Sequence, residues 1–353
     1  MGTQDVDLGT EYVRAAARAI LPSGRSGREG MMMTQTIGVP ANTVVRELRA
    51  EDVDAADQIF RVAFGTFLGL PDPGSFMGDA GYVRTRRQAN PAGAIAAEVD
   101  GQLVGSNFVT SWGSVGFFGP LSVRPELWDR GIGRRLLDRT MEIIEAQGTH
   151  AASLFTFPHS TKHVHLYQQY DFWPRQLTAV MTKPVERPVG APDWTTYGAL
   201  DDVGREAAMQ ECRAITDAIY PGFDPSTETL AAHAQQLGDT ILVRDGSRLV
   251  AFGVCHVGAG TEAGSDVCLV KVGAAFPGAS APDHFRQLLR ACEAYAATRE
   301  VQRLEAGMNT ERSQAYREML AYGFRTALQG VAMMRRNERG YLRDDVHLID
   351  DWR

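Results

Sequence analysis

Residues Gly119–Leu137, GPLSVRPELWDRGIGRRLL, constrain this chain more than any other stretch. Gly119–Val123 is short, apolar and opened by Gly-Pro, as a buried strand is. Beyond it, apolar residues recur at Ile132, Leu136, Met141 and Ile143/Ile144, close to the helical period. Between the two lies Arg130-Gly131-Ile132-Gly133-Arg134-Arg135. Glycines in the first turn of a helix lack Cβ, so a ligand can closely approach N–H groups that no helical carbonyl satisfies. Those amides and the helix dipole attract an anion, and the flanking arginines suit phosphate. The stretch reads as a pyrophosphate cradle between a strand and a helix. The plainer alternative, two glycines ending a turn and three arginines solvating a helix face, stays open on this motif alone. Two other phosphate motifs are excluded. Leu136 stands where Gly-x-Gly-x-x-Gly needs its third glycine, and no Gly-Lys-Ser/Thr follows.

At 353 residues the chain exceeds one ordinary core, so two domains are expected. The first holds the cradle. Val44–Leu48 alternates as a strand, and Glu51–Phe64 carries a helical stripe through Val53, Ala56, Ile59/Phe60 and Ala63/Phe64. Gly65–Asn90, with Pro71 and Pro73, reads as a long loop or a short helix pair of the kind that shapes a substrate mouth. Asp100-Gly101 joins Ala94–Val99 to Leu103–Ser111 as a hairpin. After the cradle helix, to about Gln147, come a strand at Ala152–Phe157, a helix at His159–Tyr170 and a strand at Leu177–Thr182. Val185–Asp193 is Pro-rich and aperiodic, a linker.

The second half repeats this order. Asp245-Gly246 joins Thr240–Arg244 to Leu249–Val257, Asp266–Val272 is strand-like and Asp283–Arg299 helical. Arg303–Met308, Gln314–Tyr322 and Leu328–Met334 give strand, helix and strand. Where its cradle belongs stands Pro277-Gly278-Ala279-Ser280-Ala281-Pro282, without Gly-x-Gly or arginine, so its phosphate site is expected to be lost. The tail, 337–353, mixes apolar and acidic residues; it is expected to dock, completing a sheet edge or reaching the first domain's site.

With these elements in view, the chain resembles the GNAT acyltransferase superfamily, whose acyl-CoA signature is Gln/Arg-x-x-Gly-x-Gly/Ala after a strand and opening a helix. Gly131 and Gly133 match it, and Trp128 replaces Gln/Arg. The family also ends a later helix in Leu-Tyr-x-x-x-Gly-Phe. The first half has Leu166-Tyr167-Gln168-Gln169-Tyr170-Asp171-Phe172, and the second Met319-Leu320-Ala321-Tyr322-Gly323-Phe324, with Met319 at the tyrosine position. The resemblance covers about Val44 to Pro184. It implies an α/β (α+β) chain of two GNAT-like domains, each a mixed, mainly antiparallel sheet flanked by helices. The expected division is an extension at 1–40, the catalytic domain at 41–184, the linker at 185–194, a degenerate copy at 195–336 and the tail at 337–353.

The resemblance further implies acetyl-CoA as co-substrate and direct transfer of the acyl group to an amine. It makes Tyr167 the acid that protonates the leaving thiolate, a role a phenol can fill because it keeps its proton at neutral pH. A core aromatic is the alternative for Tyr167, and Tyr170 is the competing phenol. Backbone groups of Leu121, Ser122 and Val123 would hold the pantetheine arm, and amides around Arg130, Gly131, Ile132, Gly133, Arg134 and Arg135 the pyrophosphate. Ser160 is counted with these cofactor contacts. His159 is the candidate general base, through water, although an amine of low pKa needs none. His159 and His163 share an i, i+4 face, but with no carboxylate or cysteine beside them no metal is expected. Trp112, Phe117, Phe118 and Trp128 are candidate pocket aromatics, with the core as the commoner place for such residues.

A net charge of −7 argues against a nucleic-acid partner. No apolar run reaches the ~18 residues of a membrane span, and Tyr12–Leu21 is too short and Arg-interrupted for a signal core. Cys212, Cys255, Cys268 and Cys292 have no metal-like spacing and read as buried thiols of a cytoplasmic protein. The Gly/Ser/Arg-rich Ser23–Gly30 before Met31, Met32 and Met33 is expected to be disordered, with translation starting at those methionines. The acceptor is a small-molecule or peptide amine, and a homodimer remains open. Two alternatives accompany the acetyltransferase reading: an acyl-CoA sensor or scaffold, and a multi-acetylating aminoglycoside-type enzyme whose C-terminal carboxylate is the base.

Overall fold

The structure, a computed structural model, describes residues 38–186, 193–350 and 352. The extension before residue 38, with Met31–Met33, and 187–192 of the linker lie outside the described residues. The first half runs β1 (Thr43–Glu47), α1 (Val53–Phe67), α2 (Tyr82–Ala89), β2 (Ala94–Val99), β3 (Gln102–Trp112), β4 (Val115–Phe118), β5 (Ser122–Val123), α3 (Ile132–Ala146), β6 (Ala151–Thr156), α4 (Thr161–Gln168) and β7 (Phe172–Pro184). The second runs β8 (Trp194–Thr196), α5 (Asp202–Ile219), α6 (Ser226–Ala234), β9 (Gly238–Asp245), β10 (Arg248–Gly258), β11 (Gly264–Ala275), α7 (Ala281–Thr298), β12 (Arg303–Asn309), α8 (Ser313–Ala321), β13 (Arg325–Arg335) and β14 (Leu348–Ile349).

Strand alternation sets the layers. Ala94 and Ala96 of β2 face the cluster holding Val53, Ala56 and Phe60 of α1. Ile95 and Ala97 face the opposite cluster, with Ile132, Leu136 and Ile144 of α3. Both Asp-Gly pairs form hairpin turns, Val99 opposite Gln102 and Asp245 opposite Arg248. The segment read as a loop or helix pair contains a 3-10 turn at Pro73–Ser75 and α2. One expectation is corrected. Gly119–Val123 is not a single strand: Pro120, which has no N–H to give a ladder, separates β4 from β5.

Both halves are mixed, mainly antiparallel sheets with helices on their faces, joined into one sheet ordered β1-β2-β3-β4-β6-β13-β7-β12-β11-β10-β9-β8. The join is an exchange. β13, from the end of the second half, lies between β6 and β7, while β7 pairs on its other edge with β12. Within the tail, Leu348–Ile349 forms β14 on β11, and Trp352 is buried.

Charges also cross the junction. Arg86 of α2 is 3% exposed and makes two 2.8 Å hydrogen bonds to Glu228 of α6, while its Nε faces Glu262. Lys271 pairs with Glu262 at 2.9 Å, and the Trp112 indole donates to Glu228 at 2.9 Å. Burial alone would lower the Arg86 pKa, but the charges of Glu228 and Glu262 outweigh it and hold the guanidinium above its ordinary value. His256 is fully buried nearby, and neither ring nitrogen has a partner among the described residues. Burial pushes its pKa down to about 4, with Glu262 and Glu228 opposing, and Arg86 and Lys271 reinforcing, that shift.

The unfolded chain, with the ordinary value of 6.5, then binds a proton that the folded chain refuses. This contribution to stability is intact above pH 6.5 and lost as pH falls towards 4. Between pH 7 and 5 it amounts to about 2 kcal/mol. Urea midpoints at the two pH values should converge by that amount in His256→Gln; an unchanged acid dependence would locate the proton uptake elsewhere.

Candidate active site

The glycine- and arginine-rich turn leads into a helix where the sequence puts one. Gly131 precedes α3 with φ +77°, a left-handed conformation that glycine adopts without strain. No side chain caps the helix, so its first N–H groups are not satisfied from the N-cap. A Cβ on Gly133 would meet only Leu121 Cδ2, at 3.9 Å, whereas one on Gly131 would meet Val39 Cγ2 at 2.7 Å, so the first turn is open on its Gly133 side. The Arg130 and Arg135 side chains make no ion pair or hydrogen bond among the described residues. Arg134 is engaged, donating to Gln169. One uncapped helix start with two uncommitted guanidiniums fits a phosphate group.

Trp128, at the signature's Gln/Arg position, has a different task. Its indole Nε1 donates to the Val123 carbonyl at 2.7 Å, fastening β5 to the loop that leads into the cradle. Asp129 pairs with Lys162 on the first turn of α4. A tryptophan five residues beyond a short strand gave no warning of this clamp, because its partner is a backbone oxygen.

β5 borders β3, with Ser122 opposite Ser106 and Val123 opposite Gly105, and Arg124 N–H donates to Val104 O at 2.9 Å. Antiparallel alternation then turns the backbone groups of Leu121 and Val123 away from β3. β4 runs parallel to β6 only from Val115 to Phe117, and no strand among the described residues pairs with the outer edge of β5. The result is a fork with an open edge, able to accept an extended chain. Leu121, Val123, Phe118, Ile132 and Tyr167 belong to one apolar cluster around it.

Tyr167 lies on α4, 8% exposed, with its ring edge-on to Phe118 at 5.8 Å between centroids. Its hydroxyl makes no hydrogen bond among the described residues, and burial raises its pKa. The phenol therefore keeps its proton. Tyr170 is occupied elsewhere, donating to Asp138 at 2.7 Å and to the Arg134 carbonyl at 3.0 Å. His159 precedes α4, exposed and stacked on Phe67 at 5.9 Å, with Phe157 at 5.7 Å. Ser160 is buried and shares a 2.8 Å hydrogen bond with His163 Nδ1. Burial, then the Lys162 charge, lowers the His163 pKa. Trp112, Phe117 and Phe118 are core residues, 0–2% exposed.

Among the described residues there is no group of three His, Cys, Asp or Glu placed to hold a metal, and no helix long and apolar enough to cross a membrane. All four cysteines are buried and free. In the second half the start of α7 presents Asp283, paired with Arg286, which also binds Glu318 at 2.7 Å, so the arginine of that helix's first turns is committed to carboxylates.

Residues 63–172 match the Acetyltransferase (GNAT) family. A search of curated proteins found no match. Among solved structures, a Pyrococcus horikoshii protein provisionally called an acetyltransferase superposes with a TM-score of 0.62 at 14% identity, covering 92% of this chain and 97% of that one. A GCN5-related N-acetyltransferase from Sphaerobacter thermophilus gives 0.55 at 17% identity, covering 84% and 96%. A GCN5-related glucosamine N-acetyltransferase region of a fungal multi-domain beta-N-acetylglucosaminidase gives 0.55 at 14%, covering 84% and 38%. These likenesses establish the fold across both halves. With the cradle, the fork and the matched segment together, residues 63–172 belong to the GNAT family of acetyltransferases.

Proposed function

We propose that the chain is an N-acetyltransferase that moves the acetyl group of acetyl-CoA directly to an amine in a ternary complex, with residues 41–184 as the catalytic domain and 195–336 as a degenerate copy. The observation that carries this reading is the open β5 edge lying in one apolar cluster with Tyr167 and the start of α3. Acetyl-CoA supplies an activated acyl group on a thiol able to leave.

The chain's own groups do the rest. The amides from Gly131 to Arg134 and the side chains of Arg130 and Arg135 bind the pyrophosphate. The outward backbone groups of Leu121 and Val123, flanking Ser122, hold the pantetheine arm as an added strand, and one N–H polarises the thioester carbonyl. Ser160 is a further contact at the start of α4. His159, exposed and with no side-chain hydrogen bond among the described residues, takes a proton from the ammonium of the acceptor through water. Tyr167 gives its proton to the departing thiolate. The acceptor is a small-molecule or peptide amine.

Trp128→Phe removes the clamp on Val123 while keeping an aromatic body. It should raise KM for acetyl-CoA about fivefold, the worth of one hydrogen bond, with kcat within about twofold. Steady-state kinetics check this; an unchanged KM would make the clamp dispensable. The reading as a whole is tested by offering acetyl-CoA with panels of amines and following thiol release. Acceptor-dependent release supports it. Tight CoA binding with no release across the panel would favour a sensor or scaffold.

A further inference from the structure

Both halves are built on one plan, and the second one is already filled. β10, β11, β12, α7 and α8 stand where β3, β4–β5, β6, α3 and α4 stand in the first half. In each, a strand runs parallel to its neighbour for a few residues and then parts from it: Val115–Phe117 beside Ala151–Ser153, and Val267–Val270 beside Arg303–Ala306. Beyond the parting, the first fork is open at β5. In the second, β14 pairs with β11, Ile349 opposite Gly273 and Leu348 opposite Ala274. The Ala275 N–H donates to the His347 carbonyl at 3.0 Å. The other edge of β11 is covered by β10 at these same residues, Gly253 opposite Gly273 and Phe252 opposite Ala274. β14 therefore lies on the β12 side, inside the fork.

The strand is held there by its neighbours. Arg312 precedes α8 as Ser160 precedes α4; it is fully buried, donates to the Asp350 carbonyl at 3.0 Å and pairs with the Asp350 carboxylate. The Tyr341 hydroxyl donates to Asp350 Oδ2 at 2.5 Å. The Trp352 indole donates to the Tyr341 oxygen at 2.9 Å and lies among core residues. A strand tethered to its own groove is present at an effective concentration on the order of millimolar, which an untethered competitor must exceed.

We infer that the C-terminal strand Leu348–Ile349 is a resident, intramolecular ligand of the second half's fork, an extended peptide making there the edge hydrogen bonds that a pantetheine arm makes in the first. The inference rests on the proposed reading of the first fork. It gives the second half a strand-binding site closed by the chain itself, and a stoichiometry of one CoA per chain.

Hydrogen exchange on the intact chain, with and without saturating CoA, tests it. The Ala275 amide should exchange slowly and at the same rate in both conditions, while the Val123 amide should slow at least tenfold when CoA is added. CoA-dependent protection of Ala275 overturns the inference. An unprotected Val123 beside a constant Ala275 overturns instead the reading of the first fork. In a second arm the chain ends at Asp345 and the peptide of residues 346–353 is added in trans. The peptide should restore slow exchange at Ala275 in the shortened chain and leave the intact chain unaffected; a folded shortened chain that the peptide does not protect also overturns the inference. If the shortened chain does not fold, the intact-chain measurement decides.

Discussion

Tyr167→Phe should lower kcat by about 10²-fold or more while CoA affinity stays within about twofold, the pattern of a lost general acid. The substitution deletes one oxygen from a ring packed edge-on against Phe118, and that oxygen holds no other residue in place among the described ones. Structure and ligand affinity therefore have little reason to change, and kcat has a strong one. Steady-state rates alongside calorimetric CoA binding separate the two. A variant that turns over at the parental rate would remove Tyr167 from proton transfer and leave it a core aromatic.

Arg86→Met should cost about 3–5 kcal/mol of stability, the effect of breaking a buried ion pair. Methionine fills much of the same volume but leaves the buried carboxylates of Glu228 and Glu262 with one paired cation among the described residues, Lys271, beside the neutral donors Trp112 and Thr85. Both acids would have to take up protons or water to remain inside. Urea denaturation at pH 7 measures the loss, and Arg86→Met combined with Glu228→Leu should recover part of it by removing one stranded charge. An undiminished midpoint in the single variant would mean that the carboxylates are not held as anions by Arg86.

The elements that local chemistry dictates were legible in the sequence. Asp-Gly pairs located both hairpins, helical spacing located α3 and α7, and the glycines beside arginine located the turn that opens α3. What the sequence hid depends on distant partners. Nothing in Arg325–Arg335 distinguishes a strand that stays with its own half from one that settles between β6 and β7, because alternation fixes faces and not neighbours. Arg86 has the look of a solvated helix arginine until Glu228 and Glu262 are brought to it from the other half. Pro120 did carry a signal, the missing N–H, that should have split the strand. Trp128 could be recognised as a departure from the signature, but its task became visible only with the Val123 carbonyl in place.

The placement of β13 also governs how such a chain can be cut, copied or recombined. Severed within 187–192, the chain would yield two fragments that remain clasped, since each carries a strand the other's sheet needs beside it. Either fragment produced alone would show the bare flank of a sheet where its borrowed strand should lie. Gene fusion or shuffling that keeps only one of them is accordingly disfavoured, because each half serves as a scaffold for the other's sheet.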